Sequence, residues 1–171
     1  MVTIRQEQER DIEAVRNLNR IAFDGPAEAQ VVDKLREVCD DLISIVAVED
    51  DEVVGHILFS SVTIENGNNV IRGMGLAPLA VLPNRQKTGI GSALVERGLA
   101  LLREKEYPFV IVLGHADFYP RFGFVPSSQY NLKSQWQGIP DEAFMILVFD
   151  QKSLEGVHGV AKYREEFNEA M

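Results

Sequence analysis

The chain has 171 residues, of which 46% are hydrophobic and 25% charged, a balance that fits one soluble domain spanning 1–171 with a core of its own. Lys and Arg number 17 against 26 Asp and Glu, a net charge of −9. This argues against a nucleic-acid binder, which needs a basic surface to displace counterions from phosphates. Cys39 is the lone cysteine, so an internal disulfide is excluded and a Cys-based zinc site nearly so. Residues 1–10 carry no apolar signal core, and the longest apolar runs, such as 109–113, are far short of a bilayer span. A cytoplasmic protein with no membrane contact is expected.

Residues 3–5 read as a short strand. Residues 11–23 place Ile12, Val15, Leu18, Ile21 and Ala22 at helical spacing, and Pro26 opens a second helix through Leu35 to Val38. The β-branched stretches 43–49 and 53–62 flank Asp50-Asp51 and form a hairpin. Asn66-Gly67-Asn68-Asn69 is the strongest turn signal, leading to Val70-Ile71 and then a strand over 73–82 that ends at Pro83. The best helix covers 89–105, with Ile90, Leu94, Val95, Leu99, Leu101 and Leu102 inward and Glu96, Arg97, Arg103 and Glu104 outward.

The continuous apolar run 109–113 predicts a central strand buried on both faces. A short helix over 117–122, a strand beginning at Phe124-Val125 and a last strand over 143–149 follow. Hairpins first, then a strand-helix-strand unit that should be parallel, make an α+β chain with a mixed sheet.

Chemistry concentrates in Leu79-Ala80-Val81-Leu82-Pro83-Asn84-Arg85-Gln86-Lys87-Thr88-Gly89-Ile90-Gly91-Ser92. A strand stops at a proline, a polar loop follows, and a glycine pair opens a long helix. Gly89 and Gly91 lack a Cβ, so backbone N–H groups there can approach an anion, and the first turn of a helix offers unpaired donors at a positive dipole end. A phosphate or pyrophosphate is the expected ligand. A P-loop would need glycine where Gln86 stands, and a dinucleotide fingerprint starting at Gly89 would need a small residue at Leu94. Tight strand-helix packing is the other use such glycines have.

Gln86-Lys87-Thr88-Gly89-Ile90-Gly91 after Val81-Leu82-Pro83 resembles the cofactor loop of the GNAT superfamily of acetyltransferases, Gln/Arg-x-x-Gly-x-Gly/Ala after Val-x-Pro. Phe118-Tyr119-Pro120-Arg121-Phe122-Gly123-Phe124 is similar to the family's second signature, Leu-Tyr-x-x-Leu-Gly-Phe. The element order agrees from Thr3 to Phe149, and Gly55-His56-Ile57-Leu58-Phe59-Ser60 with Gly114-His115 resembles the bacterial YhbS-type branch. One departure stands out: where many relatives have an asparagine before the tyrosine, this chain reads Val112-Leu113-Gly114-His115.

The resemblance implies a GNAT-like mixed, mostly antiparallel sheet with a parallel, splayed strand pair and flanking helices. It also implies acetyl-CoA as acetyl donor. Lys87, Thr88, Gly89, Ile90, Gly91 and Ser92 would wrap the pyrophosphate, and Leu79, Ala80 and Val81 would pair with the pantetheine. A backbone N–H there would polarise the thioester carbonyl, a contribution of about 3–4 kcal/mol in other acyl transfers. Tyr119 falls at the family's general-acid position, protonating the departing thiolate. The alternative function is an acyl-CoA-binding regulatory module without turnover.

The attacking amine must lose a proton, and Glu65, His115, Asp117 or water could take it. His56 lies within a strand pattern and reads as a satisfied core imidazole. The three histidines lack metal-ligand spacing, and no metal is expected. Tyr130 and Trp136, in the polar stretch 127–141, either line an acceptor pocket or pin a loop. The acceptor is expected to be a small-molecule or protein amine, and the chain could form a homodimer through its C-terminal strand.

Overall fold

The computed structural model describes residues 1–171. In chain order the elements are β1 (Thr3–Gln6), α1 (Ile12–Ala22), α2 (Ala27–Val38), β2 (Ile43–Glu49), β3 (Glu52–Asn66), β4 (Asn69–Val81), α3 (Ile90–Glu104), β5 (Phe109–Leu113), β6 (Val125–Pro126), β7 (Leu132–Ser134), β8 (Phe144–Val148) and β9 (Gly159–Lys162), joined in places by short 3-10 turns. The chain divides into two compact units. One comprises Met1–Ser60, Ala77–Leu101 and Glu165–Met171, the other Ser61–Leu76 and Leu102–Arg164. β3, β4 and α3 each run from one unit into the other.

In the first unit, Asp50 and Asp51 take positive φ of 51° and 62°, the twist that suits a two-residue hairpin. They fold β3 antiparallel onto β2, from Ile43↔Phe59 to Glu49↔Glu52, and β1 pairs antiparallel with the other edge of β2. Helical spacing on α1 buries Val15 and Leu18 against Val46, Val53 and Ala80; each such aliphatic side chain stabilises the fold by roughly 1.5–3 kcal/mol. Arg16 bonds Asp33 with both ends of its fork, at 2.7 and 3.2 Å, tying α1 to α2. On α3, Ile90, Leu94, Val95 and Leu99 are buried as expected.

In the second unit, β4 and β5 pair in parallel through Met74↔Val110, Gly75↔Ile111 and Leu76↔Val112. β8 pairs antiparallel with the whole of β5, and β6 with β8. Leu102 is buried, whereas Leu101 is only half-buried. The expected class holds: a mixed, mostly antiparallel sheet with a parallel pair and flanking helices.

Three readings change. The separate stretches 70–71 and 73–82 are one strand, β4. The helix expected over 117–122 is a 3-10 turn, Tyr119–Phe122. The strand over 143–149 is not the last, because β9 pairs antiparallel with the end of β3, Thr63↔Lys162 to Glu65↔Val160, and β7 pairs in parallel with β9.

Candidate active site

Strand alternation sorts the residues at the end of β4. Ala80 is buried in the core with Val15 and Leu18, so Leu79 and Val81, both half-buried, project to the opposite face. Whatever meets this stretch from that face meets its backbone and those two side chains.

Beyond it, Pro83–Arg85 form a 3-10 turn and the chain enters an exposed loop. Gln86 Nε2 donates to Val81 O at 3.3 Å, Thr88 Oγ1 to Arg85 O at 2.5 Å, and Arg85 Nε to Glu49 at 2.8 Å. The loop is thus braced by its own side chains. Lys87 and Gly89 have φ of +63° and +91°, and a Cβ on Gly89 would meet nothing within 4 Å. Glycine is required there for backbone conformation, not for packing, and the space beside it is open. The N–H of Ala93 donates to Gly89 O, so helix bonding begins there and the N–H groups of Ile90, Gly91 and Ser92 are the unpaired first-turn donors. Together with the positive end of a fifteen-residue helix, they fit a pyrophosphate.

In the second unit, Tyr119 opens a turn whose end is set by Gly123 at φ +101°, a left-handed cap that accounts for the glycine of the second signature. Pro120 fits because it stands in the first turn. The Tyr119 ring is held edge-on by Phe118 and Phe124, at 5.0 and 5.6 Å, and Arg121 lies over Phe118 at 4.6 Å. Only 6% of Tyr119 is exposed, and burial pushes its phenol pKa up from the usual range. A Cβ on Gly114 would stand 2.4 Å from this ring, so the absence of a side chain at Gly114 is what seats the tyrosine. Sequence reading misses that relationship.

The base candidates Glu65, His115 and Asp117 all stand exposed. His115 and Asp117 have exposed side chains, and His115 contributes its carbonyl to the N–H groups of Phe118 and Tyr119. Glu65 is exposed and faces Lys162 at 3.4 Å. His56 is fully buried, with Asn19 Nδ2 at 3.2 Å from Nδ1 and Ser44 Oγ at 2.8 Å from Nε2; burial, reinforced by Arg36, pushes it down to about 3. It is a neutral core group. Trp136 packs against Tyr163 at 5.6 Å, which pins its loop. Tyr130 lines a cavity of about 930 Å³ together with Lys133 and His158, and shares a hydrogen bond with Gln151. No group of His, Cys, Asp and Glu side chains could hold a metal ion, and no helix is long and apolar enough to cross a membrane.

Residues 3–127 match the acetyltransferase (GNAT) domain family, which makes the protein an acyltransferase. The chain belongs to the GNAT family. It is 34% identical over 166 residues to the uncharacterized N-acetyltransferase YhbS of Escherichia coli K12, covering 96% of this chain and 98% of the relative. The uncharacterized N-acetyltransferase YjhQ of the same organism is 37% identical over 118 residues, 68% of this chain and 65% of its own. The crystal structure of E. coli YhbS in complex with CoA superposes with a TM-score of 0.88 at 34% identity, covering 98% of this chain and 92% of that one. A GNAT family acetyltransferase from Brucella melitensis, solved with acetyl-CoA, gives 0.77 at 33% identity and covers 98% of both chains.

Proposed function

We propose that residues 1–171 act as one cytoplasmic N-acetyltransferase domain that moves the acetyl group of acetyl-CoA directly to a primary amine of a small molecule or a protein. The observation that carries this reading is the left-handed Gly89, with open space beside it, at the start of a helix whose first N–H groups are unpaired. The CoA and acetyl-CoA complexes of the relatives at 34% and 33% identity support the same donor.

Acetyl-CoA supplies the acyl group as a thioester. Lys87, Thr88, Gly89, Ile90, Gly91 and Ser92 hold its pyrophosphate, chiefly through backbone N–H groups. Leu79, Ala80 and Val81 present an extended backbone to the pantetheine, and an N–H of that stretch stabilises the negative charge developing on the carbonyl oxygen. Tyr119 gives its phenolic proton to the departing thiolate. The amine nitrogen loses one proton as its bond to the acyl carbon forms and the C–S bond breaks, so Tyr119 is protonated again at the end of the cycle. Burial keeps the phenol protonated at working pH and makes a lasting phenolate costly. The proton must therefore be replaced as it leaves.

The test is calorimetric titration of acetyl-CoA and of CoA into the full chain and into Gly89→Glu, with folding checked by circular dichroism. Saturable binding that the folded variant loses supports the loop assignment. No binding to the native chain overturns it. Binding without turnover on an amine panel would make the protein an acyl-CoA-binding regulatory module instead.

A further inference from the structure

The parallel ladder between β4 and β5 is short. It ends at Leu76↔Val112, although β4 runs on to Val81 and β5 to Leu113, which still pairs with Phe144 on its other side. Pro78 follows two residues after the last pair and has no N–H to offer a neighbouring strand. At this point a tyrosine from the far end of the chain enters the seam. Tyr163 Oη lies 3.2 Å from Leu76 O and 3.1 Å from Ile111 O, one carbonyl on each strand. Its single proton serves one carbonyl at a time, so both strands are tied to the same oxygen.

Everything around Tyr163 fixes it in that place. Gly75 makes its seat: a Cβ there would stand 2.6 Å from the tyrosine ring and 2.5 Å from Val62. The Tyr163 N–H donates to Gln135 Oε1 at 2.6 Å, and Trp136 packs on the ring. The preceding residue, Lys162, is the last of β9 and is paired with Thr63. The side chain is 6% exposed. A ring needed only to fill the core would have no use for a hydroxyl aimed at two main-chain carbonyls where a ladder ends.

We propose that Tyr163 is a positioning residue: its hydroxyl, within donating distance of both Leu76 O and Ile111 O, fixes the end of the β4–β5 ladder and so sets how β4 presents Leu79, Ala80 and Val81 to the pantetheine of acetyl-CoA. The inference rests on the cofactor assignment made above. It adds a residue beyond the 3–127 stretch that matches the family.

The experiment compares the full chain with Tyr163→Phe and Gly75→Ala. Each is titrated calorimetrically with acetyl-CoA and with the phosphoadenosine diphosphate half of CoA, and each is melted. Tyr163→Phe keeps the ring, so it should remain folded and bind acetyl-CoA about three- to tenfold more weakly while holding the nucleotide half as the native chain does. Gly75→Ala, which removes the seat, should act in the same direction, and the double variant should be no weaker than Gly75→Ala alone. Unchanged acetyl-CoA affinity in Tyr163→Phe, or equal weakening of both ligands, overturns the positioning role. Gly89→Glu separates the two levels. If it abolishes binding while Tyr163→Phe is silent, the positioning role alone falls; if it leaves binding intact, the cofactor assignment falls and this inference with it.

Discussion

Gly114 and Tyr119 share one small volume: the position a Cβ would take on Gly114 is 2.4 Å from the Tyr119 ring. The ring cannot swing away freely, because Phe118 and Phe124 hold it edge-on. Gly114→Ala should therefore displace the phenol instead of being absorbed. Misplacing a catalytic group by about an ångström costs on the order of a hundredfold in rate. The expected outcome is a kcat lowered about ten- to a hundredfold with acetyl-CoA affinity near the native value, read by steady-state kinetics beside calorimetry.

Removing the phenol itself is the sharper change. Tyr119→Phe keeps the ring contacts and takes away the hydroxyl proposed as proton donor, so on that proposal kcat should fall about a hundredfold, the lower end of what a general acid contributes, with acetyl-CoA affinity unchanged. The pH profile carries a second expectation. Burial raises the Tyr119 pKa above its ordinary value, so the acid form persists beyond pH ~10, where an unperturbed phenol would ionise. No alkaline fall in kcat from phenol ionisation should appear below that pH. Such a fall, absent from Tyr119→Phe, would contradict the burial argument.

Most of the strands and helices from Thr3 to Leu113 were legible because their signals are local: Asp50-Asp51 and the Asn66-Gly67 turn punctuate strands, Pro26 opens a helix, and α3 has sustained helical spacing. The conformation of the Gln86–Gly91 loop was legible for the same reason, since a proline stop and a glycine start fall at fixed spacing. The C-terminal part was not. β7 has three residues and β9 four, β9 begins at a glycine with φ +136°, and its pairing joins Thr63 to Lys162 across most of the chain. Nothing in a local window announces such a contact. Gly75 did carry a signal, because glycine inside a strand marks close approach, but its partner Tyr163 lies 88 positions further on in the sequence. The base was unreadable because acidity depends on surroundings, and Glu65, His115 and Asp117 all stand exposed.

His56 gives the fold a built-in acid sensitivity. Asn19 Nδ2 donates to Val15 O and to His56 Nδ1, which leaves Nε2–H to donate to Ser44 Oγ. A second ring proton would oppose the Asn19 amide in a fully buried site, and the folded pKa is pushed down to about 3 by burial and then by Arg36. The unfolded imidazole titrates near 6.5. Between these values the unfolded state binds more protons, so stability rises with pH. The contribution is fully present above pH ~6.5 and is lost progressively as pH falls toward the folded value, up to about 5 kcal/mol in all. Urea melts of the native chain and of His56→Gln between pH 4 and pH 8 should show a gap that narrows in acid, with the variant weaker at pH ~8. A gap independent of pH would remove His56 as its source.

Gly98 reverses an ordinary rule. An exposed glycine in a helix interior is improved by alanine, by about 1 kcal/mol. Gly98 is buried in α3, and a Cβ there would stand 2.4 Å from both Cε2 and Cζ of Phe59. Phe59 is fully buried on β3, so its ring must repack within the core to make room. Overpacking of this kind costs about 1–3 kcal/mol, enough to outweigh the gain in helix propensity. Gly98→Ala should therefore lower stability, by up to about 2 kcal/mol net. Pairing it with Phe59→Leu, which vacates the ring position, should recover part of that loss. Denaturant melts of the two single variants and the double variant read both effects, and a stabilising Gly98→Ala would show that Phe59 does not hold α3 at this distance.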